Sequence, residues 1–200
     1  MSDAPKTANT AEPLHPLLAD RWSPRAFDPE HRLTDRQLTA LLEAARWAPS
    51  CGNSQPWRFG VVRRGDAAHV SLLAALDPGN RVWAHAAAAL IVVAAQTVAD
   101  SGASRPWAAY DTGQAVAHLS IQAQHEGLAV HQLAGFDAER VAALLPTAAV
   151  TPLVVVAVGR RAATIELDEP LATRERADRH RLPVADLLLS VRTASVPDPV

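Results

Sequence analysis

The chain has 200 residues, 48% hydrophobic and 20% charged, a composition that predicts one globular domain with a core needing neither metals nor disulfides. A net charge of −2 with no basic run argues against a nucleic-acid or anionic-membrane surface, and the longest apolar run, Ala86–Ala95, is ten residues and too short to span a bilayer. The single cysteine, Cys51, has no partner for an internal disulfide. Residues 1–15 lack the apolar centre of a signal peptide and read as a disordered tail on a cytoplasmic protein, which leaves 16–200 as a single domain.

In chain order, Thr34 followed by Gln37 is a capping box, and Leu38, Leu41, Leu42 and Ala45 form a helical stripe that stops before Pro49. Trp57–Arg63 alternates and predicts a strand, with Trp57 as its core anchor. Asp66–Leu76 predicts a short helix ended by the turn Asp77-Pro78-Gly79-Asn80. Leu90–Ala95 reads as a buried strand. Asp111 or Thr112 is expected to cap a long helix through Glu126, closed by Gly127 in the left-handed conformation. A strand at Leu128–Gln132, a helix at Ala138–Leu145 capped by Asp137, and a valine-rich strand at Pro152–Val158 complete the body. From Ala162 onward the chain is charged, then ends in the apolar run of Leu187, Leu188 and Leu189. Strands separated by helices in a chain of this length predict an α+β domain of two or three layers.

Two segments carry chemistry. The loop from Pro49 to Pro56 holds Ser50, Cys51, Asn53, Ser54 and Gln55, so hydroxyls, amides and backbone N–H groups face one polar ligand. Upstream, Arg21-Trp22-Ser23-Pro24-Arg25 places two arginines at alternate extended positions, about 7 Å apart, a separation that a phosphate bridges. Arg179 and Arg181 repeat that alternation near the C-terminus. Gly135, in Leu133-Ala134-Gly135-Phe136-Asp137, sits where a strand end meets a helix start and exposes backbone N–H groups. Asn80 is either a plain turn residue or a ligand contact. His118, His125 and His131 lack a carboxylate or cysteine at zinc-like spacing, so no metal site is expected. The sequence contains no G-x-G-x-x-G after a strand, no P-loop and no nucleophile elbow.

The loop and the arginine segment together resemble the FMN-dependent nitroreductase family, collinearly from Arg21 to about Leu187. The resemblance implies a mixed, mostly antiparallel sheet flanked by helices, in an intertwined homodimer whose two FMN sites lie at the interface and whose C-terminal arm packs on the partner. It implies cofactor contacts at Arg21, Trp22 and Ser23 toward the phosphate, with Arg179 and Arg181 joining them there. Arg25 would lie at the pyrimidine edge and Asn80 would meet the pyrimidine. Leu133, Ala134 and Gly135 would offer backbone groups to N5 and its carbonyl neighbour. Pro49, Ser50, Cys51 and Asn53 come from the loop, with Ser50 and Asn53 reaching a flavin held mostly by the other subunit. The implied activity is ping-pong transfer from NAD(P)H to a small acceptor such as a nitroaromatic, a quinone or an activated alkene. No catalytic side chain is expected, because the cofactor carries the chemistry. Two alternatives stay open: a relative that oxidises its substrate with oxygen as acceptor, and a protein that sequesters flavin without turnover. Trp107 and Tyr110, in the short segment Gln96–Tyr110, are expected either near the acceptor or in the core.

Overall fold

Alternation along four strands decides the layers. In the computed structural model, which describes residues 6–191, β1 (Trp57–Arg63), β2 (Ala89–Ala95), β3 (Ala129–Leu133) and β4 (Thr151–Gly159) form one sheet in the order β1-β2-β4-β3. All three pairings are antiparallel, so the sheet built from the described residues has no parallel member. Every residue of β2 is buried, because both faces are covered. One face presents Trp57, Phe59, Val61, Ile91, Val93, Val130, Val156 and Val158 to α2 (Asp35–Arg46) and α5 (Ala108–His125). The other presents Val62, Leu90, Val92, Leu133, Val155 and Ala157 to α3 (Ala67–Ala75), α4 (Pro78–Ala84) and α6 (Ala138–Ala143). The result is an α+β domain of three layers. Two short helices lie outside them, α1 (Pro16–Asp20) and α7 (Leu171–Arg176).

Local signals behave as their chemistry dictates, with three exceptions. The capping box forms reciprocally, Thr34 with Gln37, and Gly127 adopts φ +68° at the end of α5. The turn expected at Asp77–Asn80 is instead the start of α4, since Asp77 stands at the cap position and Pro78 at the first helical one, where its fixed φ favours a helix. Asp111 and Thr112 do not cap α5. That helix begins three residues earlier, at Ala108, and both side chains lie buried in its inner stripe. The charged stretch after Ala162 contains α7, which the sequence did not reveal. In the expected tail, residues 1–5 lie outside the described residues, while 6–15 run along the body. There Ala8 N–H donates to the Ala19 carbonyl (2.9 Å) and the Thr7 hydroxyl to Asp20 (2.7 Å). No helix among the described residues is long and apolar enough to cross a membrane.

Three imidazoles sit below their ordinary pKa of 6.5, each first because of burial. Arg160 adds to the effect at His31 and Arg64 at His69, while at His131 a bond to Pro24 opposes it. As pH falls below about 6.5 the unfolded chain binds protons that the folded chain resists, so stability is full above that value and declines beneath it. The midpoint of thermal unfolding is therefore expected to drop between about pH 7.5 and about pH 5.5, and His131→Gln should flatten the slope. A midpoint independent of pH over that interval would show that the three rings protonate equally in both states.

Candidate functional site

The segment carrying Arg21 and Arg25 runs extended between α1 and the end of β4. Phe27 bridges Arg161, Asp28 N–H donates to the Arg160 carbonyl (2.9 Å), and Ala162 N–H donates to the Ala26 carbonyl (3.0 Å). Gly159 permits this approach, since a Cβ there would stand 3.0 Å from the Phe27 ring and 3.1 Å from the Ala88 nitrogen. The C-terminal segment lies against the same stretch. The Arg179 guanidinium donates to the Ala19 and Lys6 carbonyls. Arg21 is held below its ordinary pKa by burial and then by Arg181, and Arg179 by burial and then by Arg21 and Arg181. The three arginines thus converge on one spot and repel one another. Among the described residues none of them forms an ion pair, and Asp20, which favours the charge on Arg179, offsets the repulsion in part. A cluster of this kind suits a ligand dianion such as a phosphate monoester.

Arg25 belongs to a different neighbourhood. It stands near His131, whose cationic form it disfavours, and it helps line a groove of about 340 Å³ with Phe27, Val82, Trp83 and His85. The Trp83 ring stacks on Phe27 and tilts over His131, with centroids 6.2 and 4.6 Å away. On the same helix as Trp83, Asn80 donates from Nδ2 to the Gly135 carbonyl (3.0 Å), and Asp77 N–H donates to the same oxygen (3.1 Å). Gly135 leaves room for this contact: a Cβ there would fall 2.5 Å from Asp77 Oδ2 and 2.8 Å from Asn80 Nδ2 and would displace both side-chain ends. Asn80 and Gly135 are therefore brought together, as one structural unit. The N–H groups of Ala134 and Gly135 have no partner among the described residues and remain available as donors. The Leu133 side chain is buried in the core, so only its backbone is open to a ligand.

The loop after α2 is a separate unit. Gly52, Asn53 and Gln55 all have positive φ, at 58°, 55° and 45°. Asparagine tolerates that region but glutamine is strained in it, and strain of this kind persists where the surroundings over-determine the backbone. The Ser50 hydroxyl accepts from Gln55 N–H (3.1 Å), and Gln55 Nε2 donates to the Asn53 carbonyl (3.1 Å). The buried Asp111 accepts from Cys51 N–H (3.0 Å), pinning the loop to α5. Pro49, Cys51 and Asn53 are exposed. Among the described residues no hydrogen bond or ion pair joins this loop to the arginine cluster.

The aromatic side chains and their neighbours take the following places. The Trp22 indole is flanked by Lys6 (4.5 Å) and Arg161 (5.9 Å), and Ser23 is half-buried. Trp57 is the core anchor expected of it, whereas Trp107 and Tyr110 are exposed and belong to no core. The segment between β2 and α5 folds as a small hairpin, with Val98 bridging Ser104. Gln96 holds its base by accepting from Arg58 and Arg105 (2.8 Å each). Sequence reasoning missed Asp111, His131, Trp83 and Glu175 as supports of the site. For Asp111 a signal existed: it is a charge in α5 with Ala108 one turn before it and Ala115 one turn after it. For Glu175, inside a run of charged residues, there was none.

The fold defines a class, α+β domains with an antiparallel sheet between two helical layers. The Nitroreductase family model matches residues 18–160, more than half of the chain, and this protein belongs to that family, whose enzymes are FMN-dependent oxidoreductases. The chain is 39% identical over 143 residues to an uncharacterised 15.4 kDa protein of Mycolicibacterium smegmatis, covering 68% of this chain and 96% of that protein. It is 40% identical over 57 residues to the major NAD(P)H-flavin oxidoreductase of Aliivibrio fischeri, 27% of this chain and 26% of that one. Among solved structures, an oxidoreductase described as containing FMN superposes with a TM-score of 0.86 at 30% identity, covering 97% of this chain and 99% of the other.

Proposed function

We propose that the protein is a homodimeric FMN enzyme that takes electrons from NAD(P)H and delivers them, in a separate step, to a small organic acceptor: a nitroaromatic, a quinone or an activated alkene. The observation that carries this reading is the convergence of Arg21, Arg179 and Arg181, from opposite ends of the chain, without a neutralising ion pair. When bound, FMN supplies the two-electron chemistry in both directions.

The chain's own residues bind and orient. Arg21, Ser23, Arg179 and Arg181 hold the phosphate, with the Trp22 backbone beside them. Arg25 and Asn80 serve the pyrimidine edge, and the Leu133–Gly135 backbone presents its two unpartnered N–H groups to the ring. Pro49, Ser50, Cys51 and Asn53 form a loop unconnected to that cluster, which suits a loop that completes the site of a second copy. The exposed arm supports the same dimer: Leu182, Val184, Leu187, Leu188 and Leu189 are each at least 63% exposed, an apolar stretch that a partner would cover.

The test is spectroscopic and then kinetic. The purified protein is expected to be yellow, to release FMN on denaturation, and to bleach when NADPH or NADH is added without oxygen. Initial rates at several acceptor concentrations should give parallel double-reciprocal lines. Released FAD, or a colourless protein that takes up no FMN, would overturn the cofactor assignment. Bound FMN that stays oxidised in excess NAD(P)H would leave a flavin-sequestering protein, and intersecting lines would replace the two-step scheme by a ternary complex.

A further inference from the structure

Glu175 on α7 is 1% exposed and forms no ion pair among the described residues. A carboxylate so placed loses several kcal/mol of hydration and persists only where its oxygens are well bonded. Its two oxygens converge on consecutive backbone groups. Oε1 accepts from Arg25 N–H (2.9 Å) and Ala26 N–H (3.0 Å), and Oε2 accepts from Arg25 N–H (3.0 Å). From the other side His131 Nδ1 bonds the Pro24 carbonyl (2.9 Å). A carbonyl only accepts, so Nδ1 carries the proton. The Ala26 carbonyl in turn accepts from Ala162 N–H. Both peptide planes that flank the Arg25 Cα are therefore fixed, while the Arg25 guanidinium makes no hydrogen bond or ion pair among the described residues. The mount is rigid and the charged end is left for a ligand.

The same helix leads into the phosphate cluster. Glu175 precedes Arg179 by four residues and Arg181 by six, so the bonds that hold the Arg25 backbone also anchor the chain carrying two of the three phosphate arginines. An amide oxygen in the place of Oε1 would still reach both N–H groups, but with neutral bonds and without the third bond that Oε2 accepts. The carboxylate makes all three charge-assisted and about twice as strong as neutral ones. We propose that Glu175 is a positioning residue, which fixes Arg25 against the flavin ring and links that mount to the phosphate arginines through α7. This rests on the FMN reading above.

Glu175→Gln keeps the volume and one acceptor while removing the charge. In the cofactor-free protein the Arg25 and Ala26 amide hydrogens are expected to exchange at least about tenfold faster than in wild type, since their bonds lose charge assistance. FMN affinity, followed by quenching of free-flavin fluorescence, should fall about tenfold. The decisive reading is a double-mutant cycle on the rate at which NADPH reduces bound FMN at saturation. Arg25→Ala should slow that step far less in the Glu175→Gln background than in wild type, because the guanidinium is no longer held in place. A role confined to stability would lower the unfolding midpoint and leave the two effects multiplicative, which would overturn the proposal, as would unchanged FMN affinity and unchanged exchange. Where the Glu175→Gln variant does not fold, Glu175→Asp keeps the charge, shortens the reach by one methylene and carries the same cycle. A wild-type protein that binds no FMN overturns the functional reading and this role with it. A wild type that binds FMN, beside a Glu175 variant with an undiminished Arg25 effect, overturns this role alone.

Discussion

Replacing Arg21 and Arg181 together by alanine is expected to strip FMN from the protein and leave it folded. Arg21 is half-buried and Arg181 exposed, and each adds its repulsion to the burial that holds Arg179 below its ordinary pKa. Their loss relieves that repulsion in the empty protein and removes attraction only when a phosphate is present. Arg181 donates solely to its neighbour's carbonyl, at His180, so no long-range structural bond goes with it. Arg179 would be a poorer choice, because it ties the C-terminal segment to Ala19 and Lys6. Each charge-assisted bond lost is worth about 1.5–3 kcal/mol, so the pair should weaken FMN by roughly 10²–10⁴-fold. Flavin content after desalting, with the unfolding midpoint of the stripped protein, is the measurement. A variant that keeps one FMN per chain would place the phosphate elsewhere.

The second large effect concerns rate rather than binding. Arg25→Ala should slow reduction of bound FMN by roughly thirty- to a thousand-fold, equivalent to about 2–4 kcal/mol, while affinity for oxidised FMN changes much less. The Arg25 guanidinium has no ion-pair partner among the described residues, so its charge is free to balance the negative charge that reduction brings to the pyrimidine edge. An interaction that strengthens as charge develops acts on the redox step, and one present equally before and after acts on binding. Stopped-flow reduction by NADPH, beside equilibrium FMN titration, separates the two. A variant reduced at the wild-type rate would remove Arg25 from the chemistry.

How far the sequence disclosed this site depends on the kind of contact. Local devices were legible: the Thr34 box, the alternation of Trp57–Arg63, and the Gly127 closure, all of which depend on neighbours within a few residues. Boundaries drifted where two local rules competed. Asp77-Pro78-Gly79-Asn80 satisfies both a turn and a helix start, and packing of Trp83 beneath the sheet favours the helix. The Arg21, Arg179 and Arg181 convergence joins residues some 160 positions apart, so alternation alone could suggest a basic face but not a shared one. The supports were least legible of all. Glu175 and His131 each bond a backbone group distant in sequence, and a backbone acceptor or donor leaves no mark in the side chains that it serves.

The hairpin between β2 and α5 has one further consequence. Its base is clamped by Gln96 N–H on the Pro56 carbonyl and by Arg105 N–H on the Thr97 carbonyl, independently of what lies at its tip. Doubling the length of a flexible loop costs only about 0.6 kcal/mol. The segment is therefore an interchangeable part with a fixed socket. Longer or bulkier tips can be exchanged there while the sheet, the arginine cluster and the strained Pro49–Pro56 loop stay as they are.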